Sequence, residues 1–270
     1  MTTPITPIEL GLDTFGDIPE DGRGHLVSEA EAIRRVVEEG VLADQVGVDV
    51  IALGEHHRSD YAISSPETVL AGLATRTERI KLASGVTVLS SDDPVRVFQR
   101  FSTVDAMSGG RAQVILGRGS FTESFPLFGY DLADYDTLFE EKIELFAEVL
   151  KEQPVTWQGT TRAPLQGAEV HPRTESGHLD TWVGVGGSPQ SVIRAARYDF
   201  PLMLAIIGGA PGRFAPTSTS TAGRPPSSAR RPTRSGCTRT ASSPTPTRRP
   251  RTSSGRTTSA TATGSVRSAG

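Results

Sequence analysis

The sequence predicts an α/β fold built on a parallel sheet, either an open doubly wound sheet or a (β/α)8 barrel, and three observations carry that reading. Short apolar runs alternate with longer segments of helical period, as in repeated βα units. The runs start near residues 9, 48, 81, 112, 181 and 201, a spacing mostly compatible with the ~30 residues of a strand-helix unit. The runs are apolar without a polar alternation, as expected for strands buried on both faces.

Each element has its own signal. Ile8 to Phe15 reads as the first strand, and an amphipathic helix follows with Ile33, Val36, Val37, Val41 and Val46 on its apolar side. Val48 to Leu53 is the second strand, stopped at Gly54, and Pro66 to Thr75 is helical with Glu67 in its first turn. Ile80 to Leu89 reads as one continuous third strand. Asp92-Asp93-Pro94 then caps a helix whose buried stripe is Val97, Phe98, Phe101, Val104 and Met107, ended by Ser108-Gly109-Gly110. Ala112 to Leu116 is the fourth strand, and Thr137 to Leu150 a helix with Phe139, Ile143, Phe146 and Leu150 on one side. Thr181 to Val185, a helix from Pro189 to Tyr198, and Pro201 to Ile207 complete six strands, while residues 151–180 form an insertion too long for one unit.

Composition divides the chain at residue 215. Residues 216–270 hold ten arginines and no acid, leaving 18 basic against 31 acidic residues, a net −13, on residues 1–215. The one cysteine, Cys237, lies in that tail, so no disulfide framework or thiolate metal site is expected and a reducing compartment is the plain reading. His25, His171 and His178 show no ligand spacing, which argues against a metal. No stretch approaches the ~18 apolar residues of a membrane span, and Met1 to Gly11 lacks a basic region followed by an apolar run. A soluble cytoplasmic protein is expected.

In either architecture ligands sit at the carboxyl ends of the strands. The second strand ends in Gly54-Glu55-His56-His57, where a histidine can exchange protons near neutral pH or simply be a loop residue held by backbone groups. The fourth ends in Gly117-Arg118-Gly119-Ser120, which offers close backbone approach and a guanidinium suited to phosphate. The fifth ends in Gly186-Gly187-Ser188-Pro189-Gln190-Ser191, an anion-attracting helix start in which Ser188 equally reads as an ordinary cap. Neither glycine motif has dinucleotide or P-loop spacing. Gly85 in Ser84-Gly85-Val86-Thr87 marks a bulge or a flat group against the backbone.

With these ends in order, together with Asp93-Pro94-Val95-Arg96, Asp105-Ala106-Met107-Ser108-Gly109-Gly110-Arg111 and Phe128-Gly129-Tyr130, the chain from Glu9 to about Phe214 resembles the bacterial luciferase-like flavin-dependent monooxygenases. The resemblance implies a TIM-type (β/α)8 barrel with an insertion after strand four. It implies reduced FMN as co-substrate, O2, a small apolar organic substrate, a separate NAD(P)H:flavin reductase and a possible homodimer. By position His56 matches the family's active-site histidine, and Gly85-Val86 matches its cis peptide under the flavin ring. Gly187 belongs to the same cofactor-binding set, and Arg118, Ser188 and Ser191 match the phosphate ligands. Gly117 stands where bacterial luciferase has a reactive cysteine, and Asp199 where a helix end would more easily take glycine.

Two rival readings accompany it. A deazaflavin-dependent hydride-transfer enzyme shares the barrel and the strand-three bond. A non-enzymatic protein would use the arginine tail on nucleic acid or anionic membrane, partners that the monooxygenase reading does not need. The tail's Ser, Thr, Arg, Pro, Ala and Gly are what GC-rich codons yield, and an out-of-frame origin explains it better than a binding role, disorder being the plain alternative. Strands seven and eight then have no apolar sequence. The barrel is expected to be incomplete, and the chain partly folded, poor at binding FMN and of doubtful activity.

Overall fold

The computed structural model describes residues 8–186, 188–206 and 235–238, the last four as backbone alone. The elements are β1 (Gly11–Thr14), α1 (Glu29–Val46), β2 (Val50–Leu53), α2 (Pro66–Ala74), β3 (Lys81–Ser84), β4 (Thr87–Val88), a 3-10 turn (Leu89–Ser91), α3 (Pro94–Ser108), β5 (Ala112–Gly117), α4 (Ser124–Leu127) and α5 (Tyr135–Val149). They continue with β6 (Val155–Trp157), β7 (Leu165–Ala168), β8 (Asp180–Val185), α6 (Pro189–Arg197), β9 (Leu202–Ala205) and β10 (Ser235–Thr238). The main sheet runs β1-β2-β3-β5-β8-β9-β10, with β4 also beside β5, and every pairing in it is parallel. It curls into a half-barrel with helices on its convex side. Among the described residues β1 and β10 are not joined, so the barrel is open.

Local chemistry sets the helix ends. Ser28 accepts the Glu31 N–H to start α1, and Gly47, at φ 88°, closes it with its N–H on Ala43 and Asp44 carbonyls. Asp93 accepts the N–H groups of Val95 and Arg96 ahead of Pro94 to start α3, and Gly109 ends it at φ 66°. Asp199 after α6 does take the left-handed conformation, at φ 59°. Between sheet and helices lie Leu53, Leu70, Leu82, Phe98, Phe101, Val114, Phe139 and Phe146, each worth roughly 1.5–3 kcal/mol when fully buried.

The structure departs from the sequence reading in five places. The third strand is two pieces, β3 and β4, where one was expected, and the bond between them is the cis Gly85–Val86 bond that the resemblance implies. The buried side of α1 is Ala32, Val36, Gly40 and Ala43, and Val46 is 69% exposed. The small residues let α1 approach closely: a Cβ at Gly40 would lie 2.7 Å from Leu73. On α3 Met107 is 45% exposed and Ser108 is buried in its place, because the 3.6-residue period carries the Val97–Phe101–Val104 stripe to residue 108. The insertion contains the antiparallel pair β6–β7, held to α5 where Glu141 accepts the N–H groups of Thr160 and Thr161. Burial opposes ionisation there, yet those bonds hold the Glu141 carboxyl down at about 2.

The fifth departure is β10. Of the tail 216–270, residues 235–238 are described, and they extend the sheet with Ser235 opposite Leu202 and Thr238 opposite Ala205. Backbone pairing needs no apolar side chain, which is why composition did not reveal it. The end of the predicted sixth strand at Ile207, the rest of the tail and Gly187 lie outside the described residues.

Candidate active site

Successive strands place glycine along one wall of the half-barrel. Ile51, Leu53 and Leu82 enter the core under the helices, so the alternation of a strand puts Asp13, Phe15, Ala52, Gly54, Ala83 and Gly85 on the opposite, concave face. A Cβ at Gly54 would lie 2.2 Å from the Phe15 ring, and one at Gly85 would lie 2.8 Å from Asp13 Oδ1 and 3.0 Å from Ala52 Cβ. At Gly117 and Gly184 it would lie 2.4 and 2.8 Å from the methyls of Val86. Three side chains, Phe15, Asp13 and Val86, therefore occupy room that the four glycines leave open.

The Gly54-Glu55-His56-His57 turn sends its acid and its two rings to different tasks. Glu55 is buried, accepts the Val88 N–H at 2.8 Å through Oε2, and lies 2.9 Å from His57 Nε2 through Oε1. It thereby ties the end of β2 to β4. His56 sits among aromatic rings, its centroid 4.7 Å from Phe15, 4.6 Å from Tyr61 and 5.0 Å from Phe121. Its Nε2 is buried and has no hydrogen-bond partner. Burial pushes its pKa below the usual imidazole value, against the pull of Asp17 and Asp60, which favours the uncharged ring. A small open cleft is lined by Glu55, His56, His57, Val88 and residues 119–121, 123 and 124 of the following loop. Arg58 links the turn to that loop: it binds Asp60, donates to Glu123 at 2.9 Å, and lies 4.6 Å over the Phe121 ring.

The sequence-predicted residues fall into two groups. His56, Gly85 and Val86 belong to the concave wall and its cleft. Arg118, after β5, instead donates to Asp136 at 2.9 Å and lies 5.0 Å over the Tyr135 ring. Ser188 is the cap of α6, accepting the Ser191 N–H, and the two hydroxyls are 2.8 Å apart. The structure thus shows the capping role for Ser188. Asp136 is 78% exposed, and so exposed an ion pair holds Arg118 weakly.

Sequence reasoning passed over two acids. Asp13, on β1, has a buried Oδ1 with no partner, and burial, then the charge of Asp17, raises its pKa to about 7. Its signal was an acid near the carboxyl end of the predicted first strand, where ligands sit in this architecture. Glu55 lay within the quoted motif without a role of its own. Lys142 is buried outside the cleft, donating to the Ser90 carbonyl at 2.7 Å and lying 4.0 Å over Tyr130, and burial lowers its pKa to about 8.

With this geometry in hand, the comparisons place the chain. The family described as luciferase-like monooxygenase matches residues 17–244, and the chain belongs to that family. It is 34% identical over 161 residues to the 4-hydroxyprotoasukamycin monooxygenase of Streptomyces nodosus subsp. asukaensis, covering 57% of this chain and 42% of that one. The chain spans about two-fifths of the length of the curated relatives it matches. Among solved structures, the oxygenating constituent of 3,6-diketocamphane monooxygenase from Pseudomonas putida, in complex with FMN, superposes with a TM-score of 0.63 at 20% identity, covering 74% of this chain and 58% of that one. An F420-dependent secondary alcohol dehydrogenase superposes with a TM-score of 0.62 at 17% identity, covering 79% and 64%. Members of the family are flavin- or F420-dependent oxidoreductases, and the half-barrel is part of their TIM-type fold. No described helix is long and apolar enough to cross a membrane.

Proposed function

We propose that this chain is a flavin-dependent monooxygenase that uses reduced FMN and O2 to oxidise a small apolar organic substrate. The observation that carries the reading is the buried, partnerless Nε2 of His56 inside an aromatic cleft beside the glycine-cleared wall. A flat heteroaromatic ring with polar edges suits such a wall, and the unpartnered atoms of Asp13 and His56 are donors or acceptors kept for a group outside the chain. When bound, reduced FMN supplies the electrons that activate O2. Gly85 and Val86 would take its ring, and Arg118, Ser188 and Ser191 its phosphate, with Gly187 in the same cofactor-binding set. The weak Asp136 pair lets Arg118 turn to a dianion.

His56, neutral and dry, accepts or returns a proton at Nε2 during substrate oxidation. Phe15, Tyr61 and Phe121 exclude water from that exchange. The small apolar substrate, a separate NAD(P)H:flavin reductase, a homodimer and a cytoplasmic location complete the proposal. It needs no metal, nucleic acid or membrane. The open sheet predicts that residues 1–270 bind FMN less tightly and turn over more slowly than a version with a re-read coding frame after residue 215.

The test is an anaerobic titration with reduced FMN, then O2 uptake with a medium-chain aldehyde or ketone. Substrate-dependent O2 uptake with FMN supports the reading. Hydride transfer with F420, and none with FMN, transfers it to the F420-dependent class that the alcohol dehydrogenase neighbour represents.

A further inference from the structure

We propose that Asp13 is a proton-linked contact for the bound flavin, one that takes up a proton when the reduced, anionic ring is held and releases it when that ring leaves. The inference rests on the FMN reading above. Its geometry is that of the wall itself: Asp13 lies on the concave face of β1 with Oδ1 against Gly85 and Ala52, beside the residues that would hold the ring. Oδ1 is buried and accepts no hydrogen bond from the chain. A partnerless carboxylate costs more to bury than a carboxylic acid, and among the described residues no hydrogen bond or counter-charge compensates for it.

The surroundings offer no counter-charge. From β2 the neighbour is the Ala52 methyl and from the β3–β4 bend it is Gly85. The charge felt from its own end of the sheet is Asp17, which repels a second carboxylate. His56, after β2, is kept neutral by burial and supplies none. A reduced flavin ring that has lost its N1 proton brings one further negative charge to this wall, whereas the oxidised ring brings none. Asp13 and the anionic ring share the site when Asp13 takes one proton from solvent: –COO⁻ plus H⁺ gives –COOH, with no change in oxidation state.

A flavin-independent signature follows from the same geometry. Burial, and behind it Asp17, raises Asp13 from 3.8 to about 7, so between those values the folded chain holds a proton that the unfolded chain has lost. That contribution to stability is fully present below about pH 4 and drains away as pH rises through 7.

Asp13→Asn keeps the shape of the side chain and cannot ionise. The experiment is anaerobic titration of the 270-residue chain and of Asp13→Asn with reduced FMN, and in parallel with oxidised FMN, from pH 6 to 8.5. The wild-type Kd for reduced FMN should rise by up to about tenfold per pH unit above 7, the slope of one linked proton, over and above any slope in the variant. Oxidised FMN should show no such difference between the two chains. In parallel, Asp13→Asn should gain in urea midpoint relative to wild type as pH goes from 4 to 8. Identical pH profiles for reduced FMN in the two chains overturn the role of Asp13 and leave the FMN reading standing. No binding of FMN by either chain at any pH overturns both. An Asp13→Asn chain with less native signal than wild type at pH 5, where the two should match, would make the carboxyl a structural requirement and also overturn the proposal.

Discussion

The wall at β1–β3 and the helix start after β8, the two regions proposed to hold one cofactor, treat their polar atoms in opposite ways. At the wall, Asp13 Oδ1 and His56 Nε2 are buried without partners. At the other end the residues proposed for phosphate are engaged with one another or with a neighbour: Arg118 Nη1 with Asp136, and Ser191 with Ser188. A buried polar atom left unmade costs about 1–3 kcal/mol, which folding alone has no reason to retain. Ser102, Trp157 and Thr161 also hold such atoms elsewhere in the fold, so what sets the wall apart is that two of them, on Asp13 and His56, lie beside its glycines. The helix start satisfies itself, and only a bound anion would reveal what else it does.

The sharpest way to test that contrast is His56→Ala, which should reduce turnover on the order of 10²–10⁴-fold and leave the FMN Kd nearly unchanged. Equal losses in both, measured in steady-state kinetics beside a binding titration, would make His56 a positional residue. Next in size is Gly117→Cys, whose Cβ would meet Val86 at 2.4 Å. It should destabilise the fold by about 1–3 kcal/mol in urea denaturation, with part of the loss restored by Val86→Ala. Ser188→Ala should cost about 1 kcal/mol through the lost cap, with or without flavin. If it also weakens FMN and spares riboflavin, the helix start gains the second role that its contacts conceal. Smallest in stability is Arg118→Ala, within about 0.5 kcal/mol. It should nevertheless weaken FMN far more than riboflavin, and similar weakening of both would remove Arg118 from the phosphate site.

The helices and the central strands were legible because their signals are local. Ser28, Asp93-Pro94 and Ser188-Pro189 start helices within a few residues of their place in sequence, and Gly47 and Gly109 end them. His56, Gly85 and Val86 were legible only through an ordered set of strand ends that resembles a family. What escaped depends on neighbours far along the chain. The face that α1 buries is chosen by Leu73 and Ile51, which lie against Gly40. The break of the third strand was legible only as the glycine at Gly85, since apolar residues resume on both sides of it and hydrophobic period alone reads Ile80 to Leu89 as one run. Asp13 looked like one acid in an edge strand because its isolation is a property of Ala52 and Gly85, some 40 and 70 residues away. The pairing of β10 rests on backbone alone.

The Arg58 bridge has a further consequence, for traffic through the cleft. It joins the turn that carries His56 to the loop that carries Phe121, through ions at the surface. Such ions are screened over about 8 Å at physiological ionic strength. Added salt loosens the electrostatic half of that link and leaves the stacking of guanidinium on ring, so for a small molecule held beside His56 as proposed, residence time is expected to depend on ionic strength as well as on fit.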